Sequence, residues 1–169
     1  TFGAKGVVVH GGSVGEGGDI GQGYENWAKA IKEVEDLGVK VLVENTAGGK
    51  NSVARYMDSI ERLWEVIGHL NVGLCLDTCH TWAGGIPTIE AIKGFKKLVK
   101  KIDLIHFNDS KDGFESSRDR HENLGKGKIP KEELEYVIKN AKTDIIVETP
   151  NGADAQKKDI AWIRRRLNK

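Results

Sequence analysis

Cysteine, proline and methionine are scarce in this chain of 169 residues, at two, three and one. The two cysteines, Cys75 and Cys79, sit four apart in a chain long enough to fold around its own core, which excludes a disulfide-stapled scaffold. No apolar run approaches the ~18 residues of a membrane-spanning helix. Neither sign of charge dominates: 26 Lys+Arg face 25 Asp+Glu for a formal net charge of +1, so composition carries no general signal for nucleic acid. Apolar residues are not lacking. At 38% hydrophobic and 30% charged, the make-up is that of a folded domain rather than a disordered segment, and one domain over residues 1–169 is expected. No signal-like segment opens the chain, so a cytoplasmic, intracellular protein that is not secreted is expected. Thr1 stands where an initiator Met would, and a missing natural start is expected.

Short β-branched runs alternate with stretches of helical period. Val7 to Val9 leads to His10, and Gly11 to Gly23 reads as a flexible loop, since it matches neither a P-loop nor a dinucleotide fingerprint. Trp27, Ile31 and Val34 recur at helical spacing, and Gly38 is placed as the glycine that ends the helix. Val39 to Val43 leads to Glu44. A helix capped by Asn51 or Ser52 is expected to carry Val53, Met57, Ile60, Trp64 and Ile67 on one face. Val72 to Leu76 leads to Asp77, with Ile89, Ile92, Phe95 and Val99 on the helix after it. Ile102 to Ile105 leads to His106, and Pro130 opens a helix bearing Leu134, Val137 and Ile138. Ile145 to Val147 leads to Glu148, and Ile160, Ile163 and Leu167 mark the last helix. Five strand–helix units of this kind imply a parallel sheet covered by helices, an α/β fold.

The residues that close the five strands are His10, Glu44, Asp77, His106 and Glu148, 29 to 42 residues apart. Parallel strands bring their C-terminal ends to one face, where α/β folds carry their chemistry. One acidic strand end often just caps the next helix; five metal-type side chains in five strands do not fit that explanation. His80 lies three residues past Asp77, and Asp119 and His121, two apart, point the same way in extended backbone. The set becomes four carboxylates and four imidazoles. Four converging carboxylates repel one another unless they take up protons or bind cations. Mixed imidazole and carboxylate donors favour zinc or a neighbouring transition metal over magnesium or calcium, and eight donors exceed the four of one tetrahedral zinc, so two or three ions are expected. Cys75 and Cys79 do not form a Cys-x-x-Cys hook and read as thiols packed beneath the site. Arg164, Arg165 and Arg166 read as a solvated helix face.

The segments Glu44-Asn45-Thr46-Ala47-Gly48, Leu76-Asp77-Thr78-Cys79-His80, His106-Phe107-Asn108-Asp109-Ser110-Lys111, Asp119-Arg120-His121-Glu122-Asn123-Leu124-Gly125 and Glu148-Thr149-Pro150 resemble the endonuclease IV family of apurinic/apyrimidinic (AP) endonucleases. The resemblance runs from His10 to Glu148. It implies a TIM barrel of the (β/α)₈ type, here an incomplete barrel of about five parallel βα units, and a site of up to three Zn²⁺ ions, with Mn²⁺ as the alternative. It implies cleavage of double-stranded DNA 5′ to an abasic site. Carried over by residue, His10 and Glu44 would hold a first zinc; Glu44, Asp77, His106 and Glu148 a second; and His80, Asp119 and His121 a third. The family has three further strands and one more histidine ligand before the position of His10. These are not in the sequence, so a first site short of one ligand and an unclosed barrel are expected.

The chemistry this implies is metal-assisted phosphodiester hydrolysis, with Glu44 and Glu148 orienting the nucleophile and Lys111 and Arg120 contacting phosphate or serving as ordinary surface charge. Neither a membrane nor an obligate protein partner is expected. Two other readings stay open: a metal-dependent sugar isomerase or epimerase on a related barrel, usually with one divalent ion, and a truncated piece that binds metal or DNA without turnover. Open apolar edges at Val7, Val9, Ile145 and Val147 are also expected.

Overall fold

The computed structural model describes residues 3–167. Its strands are β1 (Gly6–His10), β2 (Lys40–Glu44), β3 (Val72–Asp77), β4 (Leu104–His106), β5 (Asp109–Ser110), β6 (His121–Glu122) and β7 (Asp144–Ile146). Its helices are α1 (Ile20–Val34), α2 (Met57–Ile67), α3 (Thr78–Gly84), α4 (Thr88–Leu98), α5 (Lys131–Ala141) and α6 (Gly152–Leu167). Five strands form one sheet in the order β1-β2-β3-β4-β7, every neighbouring pair parallel, while β5 and β6 make a separate antiparallel hairpin. Neighbouring helices pack in sequence, α1 on α2, α2 on α4, α4 on α5 and α5 on α6. This is the layering of an α/β barrel, present over five strands. No helix among the described residues is long and apolar enough to cross a membrane.

Alternation along the strands builds the two faces. Val43, Leu74, Leu76 and Ile105 are buried and belong to the core with Ile60, Leu63, Ile92, Phe95 and Leu134 of the helices. The intervening positions, Leu42, Gly73, Cys75 and Leu104, share the parity of Glu44, Asp77 and His106 and face the barrel interior.

Local signals moved several boundaries. The glycine-rich loop ends at Asp19, whose carboxylate accepts the Gly21 N–H at 2.9 Å, so Gly21 and Gly23 lie inside α1. Gly23 is needed there because a Cβ would run into Val14 and Val53. The loop itself is tied down: Gly11 N–H donates to the Glu44 carbonyl, Val53 N–H to the Gly12 carbonyl, and Ser13 bridges Ser52. That bridge takes Ser52 and Val53 out of the expected helix. α2 starts at Met57, with Ser59 Oγ accepting the Tyr56 N–H. Gly38 ends the turn after α1 with φ at 69°, the left-handed region where a side chain is strained.

The sheet is open at both edges among the described residues. Val7 and Val9 on β1 are 51% and 40% exposed, beside a groove of about 640 Å³ lined by Trp27, Ile31, Val34 and Val41. On β7 the exposed apolar residue is Ile146, at 47%, rather than Ile145 or, just beyond the strand, Val147. Ile145 and Val147 have the parity of the helix-facing positions and pack on the core, whereas Ile146 is level with His106 and looks into the open interior.

Candidate metal centre

Strand register delivers the strand-end residues to one level. His10 pairs with Glu44, and Asp77 with His106. Between β2 and β3 the partner of Glu44 is Cys75, two residues short of Asp77. Between β4 and β7 the partner of His106 is Ile146, two short of Glu148. A two-residue step preserves side-chain parity, so all five groups stay on the inner face, and such steps are how tilted barrel strands are staggered. One expectation is corrected here: Glu148 does not end a strand. The ladder stops at Ile146, and the Glu148 N–H turns to Asn108 Oδ1 at 2.8 Å instead.

All eight candidate ligands form one connected cluster. Glu44 lies at its centre, with Oε2 3.2 Å from His10 Nε2 and Oε1 2.8 Å from His106 Nδ1 and 3.6 Å from His80 Nδ1. Glu148 Oε2 is 3.2 Å from His106 Nδ1. On the other side, Asp119 sits between two imidazoles, 3.1 Å from His80 Nε2 and 3.1 Å from His121 Nε2, and His121 Nε2 is 3.6 Å from Asp77 Oδ2. Asp119 comes from the loop of the β5–β6 hairpin and His121 from β6 itself.

Five sets of ligand atoms lie within 4.8 Å of one another; two include the buried thiols of Cys75 and Cys79, and the three without cysteine are Glu44, Asp77, His106 and Glu148; His80, Asp119 and His121; and His10, Glu44 and His80. Ring hydrogen bonding assigns His80 to the set with Asp119 and His121. Its Nδ1 is 2.9 Å from the Asn45 carbonyl, which fixes the proton there and leaves Nε2 toward Asp119 and His121. His121 is held likewise, with Nδ1 3.3 Å from the Glu148 carbonyl. The two Nε2 atoms are buried, yet neither has a hydrogen-bond partner, despite carboxylate oxygens at 3.1 Å. Imidazole nitrogens and carboxylate oxygens that converge on shared space without hydrogen-bond alignment are what cation ligands present, and the donor set fits divalent ions of the zinc type.

Electrostatics agree with the geometry. Burial alone would push the His80 imidazolium down, but the charges of Asp77, Asp119 and Glu44 outweigh it and carry the ring up to about 10. Burial likewise opposes charge on His106 and His121, and the neighbouring carboxylates, Glu44 for the first and Asp119 and Asp77 for the second, raise both. Asp119 is held well below the usual carboxylate range by His121 and then His80. Excess negative charge is thus being balanced by protons, the place that metal cations would take. Cys75 and Cys79 are fully buried; desolvation, then nearby carboxylates, pushes both thiols up, Cys79 to about 12, so they remain neutral.

Two side chains to which sequence reasoning gave no role support the ligands. Asn108 donates from Nδ2 to Asp77 Oδ2 at 2.7 Å while its Oδ1 takes the Glu148 N–H, linking a candidate ligand that ends β3 to one in the loop after β7. Asn45 accepts the Asp77 N–H at 2.8 Å and donates to the Asp77 carbonyl. Both stand inside the recognised motifs, but an asparagine in a loop carries no local signal that separates a buried brace from a solvated turn. Lys111 is exposed at the base of the hairpin. Arg120 is exposed too, with its guanidinium bidentate on Asp112 at 2.7 and 2.5 Å. A cavity of about 370 Å³ opens beside the ligands, between His10, Ser13, Thr46, Gly48, His80 and Asp119.

A parallel α/β sheet with its candidate ligands at and just beyond the strand ends defines the class, and the chain belongs to the xylose isomerase-like TIM barrel family, which matches residues 1–166. More particularly, it is 45% identical over 167 residues to a probable endonuclease 4 of Mycobacterium ulcerans (strain Agy99), covering 99% of this chain. It spans 65% of that relative's length. Endonuclease IV from Thermus thermophilus superposes with a TM-score of 0.75 at 31% identity, over 98% of this chain and 62% of that one. The resemblance read from the motifs is borne out. A D-tagatose 3-epimerase-like protein, at a TM-score of 0.72 and 19% identity over 97% of this chain and 62% of its own, shares the fold.

Proposed function

We propose that this chain carries the metal centre of an AP endonuclease, which hydrolyses the phosphodiester bond 5′ to an abasic site in double-stranded DNA. The observation that carries the reading is the third ligand set: His80, Asp119 and His121 converge beside the other two sets at one barrel mouth. A sugar isomerase or epimerase with one divalent ion does not require it. The likeness to endonuclease 4 relatives adds the substrate class.

Bound cations, up to three zinc or alternatively manganese ions, would lower the pKa of an attacking water and stabilise charge on the phosphoryl oxygens. Asp77, His106, Glu44 and Glu148 would form one cradle, His80, Asp119 and His121 another, and His10 with Glu44 the third. Glu44 and Glu148 both approach His106 Nδ1, at 2.8 and 3.2 Å, and would orient the nucleophile. Lys111 and Arg120 supply phosphate contacts, Arg120 by exchanging Asp112 for DNA.

An end-labelled duplex with one abasic site tests this. Incision on the 5′ side, abolished by chelator, restored by zinc and lowered at least a hundredfold by Asp119→Ala or His121→Ala, is the expected result. One bound ion per chain with ketose turnover would favour the isomerase. Metal or DNA binding with no incision at any metal loading would leave only a binding role.

A further inference from the structure

We infer that Asp159, on α6, is a positioning residue that locks the loop following His121 of β6 to the loop bearing Glu148; the inference rests on the metal-centre reading above. Asp159 is 4% exposed, far from the strand-end pattern in sequence. Its Oδ2 accepts from Asn123 Nδ2 at 2.7 Å and from Thr149 Oγ1 at 2.6 Å, and its Oδ1 accepts the Leu124 N–H at 3.0 Å. Asn123 stands two residues after His121, and Thr149 directly follows Glu148. The knot is reinforced by Asn123 Nδ2 on the Pro150 carbonyl and by Asn151 Nδ2 on Asn123 Oδ1. One carboxylate therefore holds both loops, and the His121 ring rests on the carbonyl of Glu148 itself.

Docking α6 alone would not call for this group. A buried carboxylate is costly unless its oxygens are bonded, and an apolar side chain would fill the space at lower cost. What the carboxylate adds is direction: three donors from two separate loops converge on acceptors a fixed distance apart. Asparagine cannot replace it, because in either orientation its NH2 would face a donor, the Leu124 N–H in one and the Asn123 amide in the other.

Asp159→Asn and Thr149→Val test the inference, with Thr149→Ser as the conservative rescue. In the metal-free protein, hydrogen exchange should quicken together in residues 119–124 and 147–151 and stay unchanged in β1 to β3. Titration with Co²⁺, followed by its visible absorption, should show about tenfold weaker binding at the sets containing His121 or Glu148, with the His10–Glu44 set unaltered and Thr149→Ser close to wild type. Unchanged exchange and cobalt affinity, or loosening spread evenly over the sheet as for a merely structural residue, would overturn it. Should Asp159→Asn fail to fold, the Thr149 pair decides. If the wild type takes up no cobalt, the metal-centre reading fails, while the exchange measurement still decides whether Asp159 couples the loops.

Discussion

His80 divides its two ring nitrogens between different partners, Nδ1 with the Asn45 carbonyl and Nε2 with Asp119, and its proton balance sets how the metal-free protein responds to pH. Its folded value is raised from 6.5 to about 10, so the stabilisation it contributes is complete below pH 6.5 and lost as pH rises through 10. Asp119 is depressed from 3.8, so its contribution is present above 3.8 and is lost as pH falls through the lowered folded value. With chelator present, the denaturation midpoint should therefore fall between pH 6.5 and 10. With zinc the trend should reverse, because ligation needs the neutral imidazole and releases its proton. Chelator competition at stepped pH should show apparent zinc affinity rising over the same interval; a flat profile would contradict the shared-proton picture. Arg120 makes a second residue-scale case. Arg120→Ala should weaken DNA binding uniformly across sequences and reduce the salt slope by about one, read by fluorescence anisotropy at several salt concentrations. Asp112→Ala, which frees the guanidinium, should tighten binding.

At the scale of elements, the site depends on how strand ends pass into the turns that follow. Asp77 closes β3 and at once caps α3, with Oδ1 on the His80 N–H at 2.8 Å. Its second oxygen is left for Asn108, which continues the chain from β4 and also receives Glu148. β3, β4 and the loop after β7 are thus braced through one amide. Asn108→Ala removes a donor from a buried carboxylate and an acceptor from a backbone N–H, and should cost about 1–3 kcal/mol of stability in urea denaturation of the metal-free protein. Metal affinity at the Asp77–Glu148 set should fall with it. A loss within error of zero would mean that water replaces the amide and the brace is not needed.

On the scale of the whole molecule, five parallel strands leave two edges unpaired among the described residues, with Val7 and Val9 at one and Ile146 at the other. Unpaired backbone beside apolar side chains is a template for pairing with another chain. The 169-residue protein on its own should therefore self-associate, visible as a concentration-dependent mass by light scattering. Val7→Lys with Ile146→Lys should shift it toward monomer. A monodisperse monomer at high concentration would show that the edges are quiet as they stand.

The sequence by itself determined five of the candidate ligands and their order, because strand and helix periods are local and five chemical side chains recur at the ends of five apolar runs. It also determined that they share one mouth, since parallel strands leave no other arrangement. Tertiary structure decided what depends on long-range register. Glu148 reaches the cluster from beyond its strand because the β4–β7 ladder stops at Ile146 and Asn108 takes over the next N–H. The partner of each imidazole nitrogen follows from backbone carbonyls 27 and 35 residues away, for His121 and His80. Asn45, Asn108 and Asp159 look in sequence like any polar residue of a loop or helix surface. Only packing, which removes water from around them, turns their hydrogen bonds into constraints on the site.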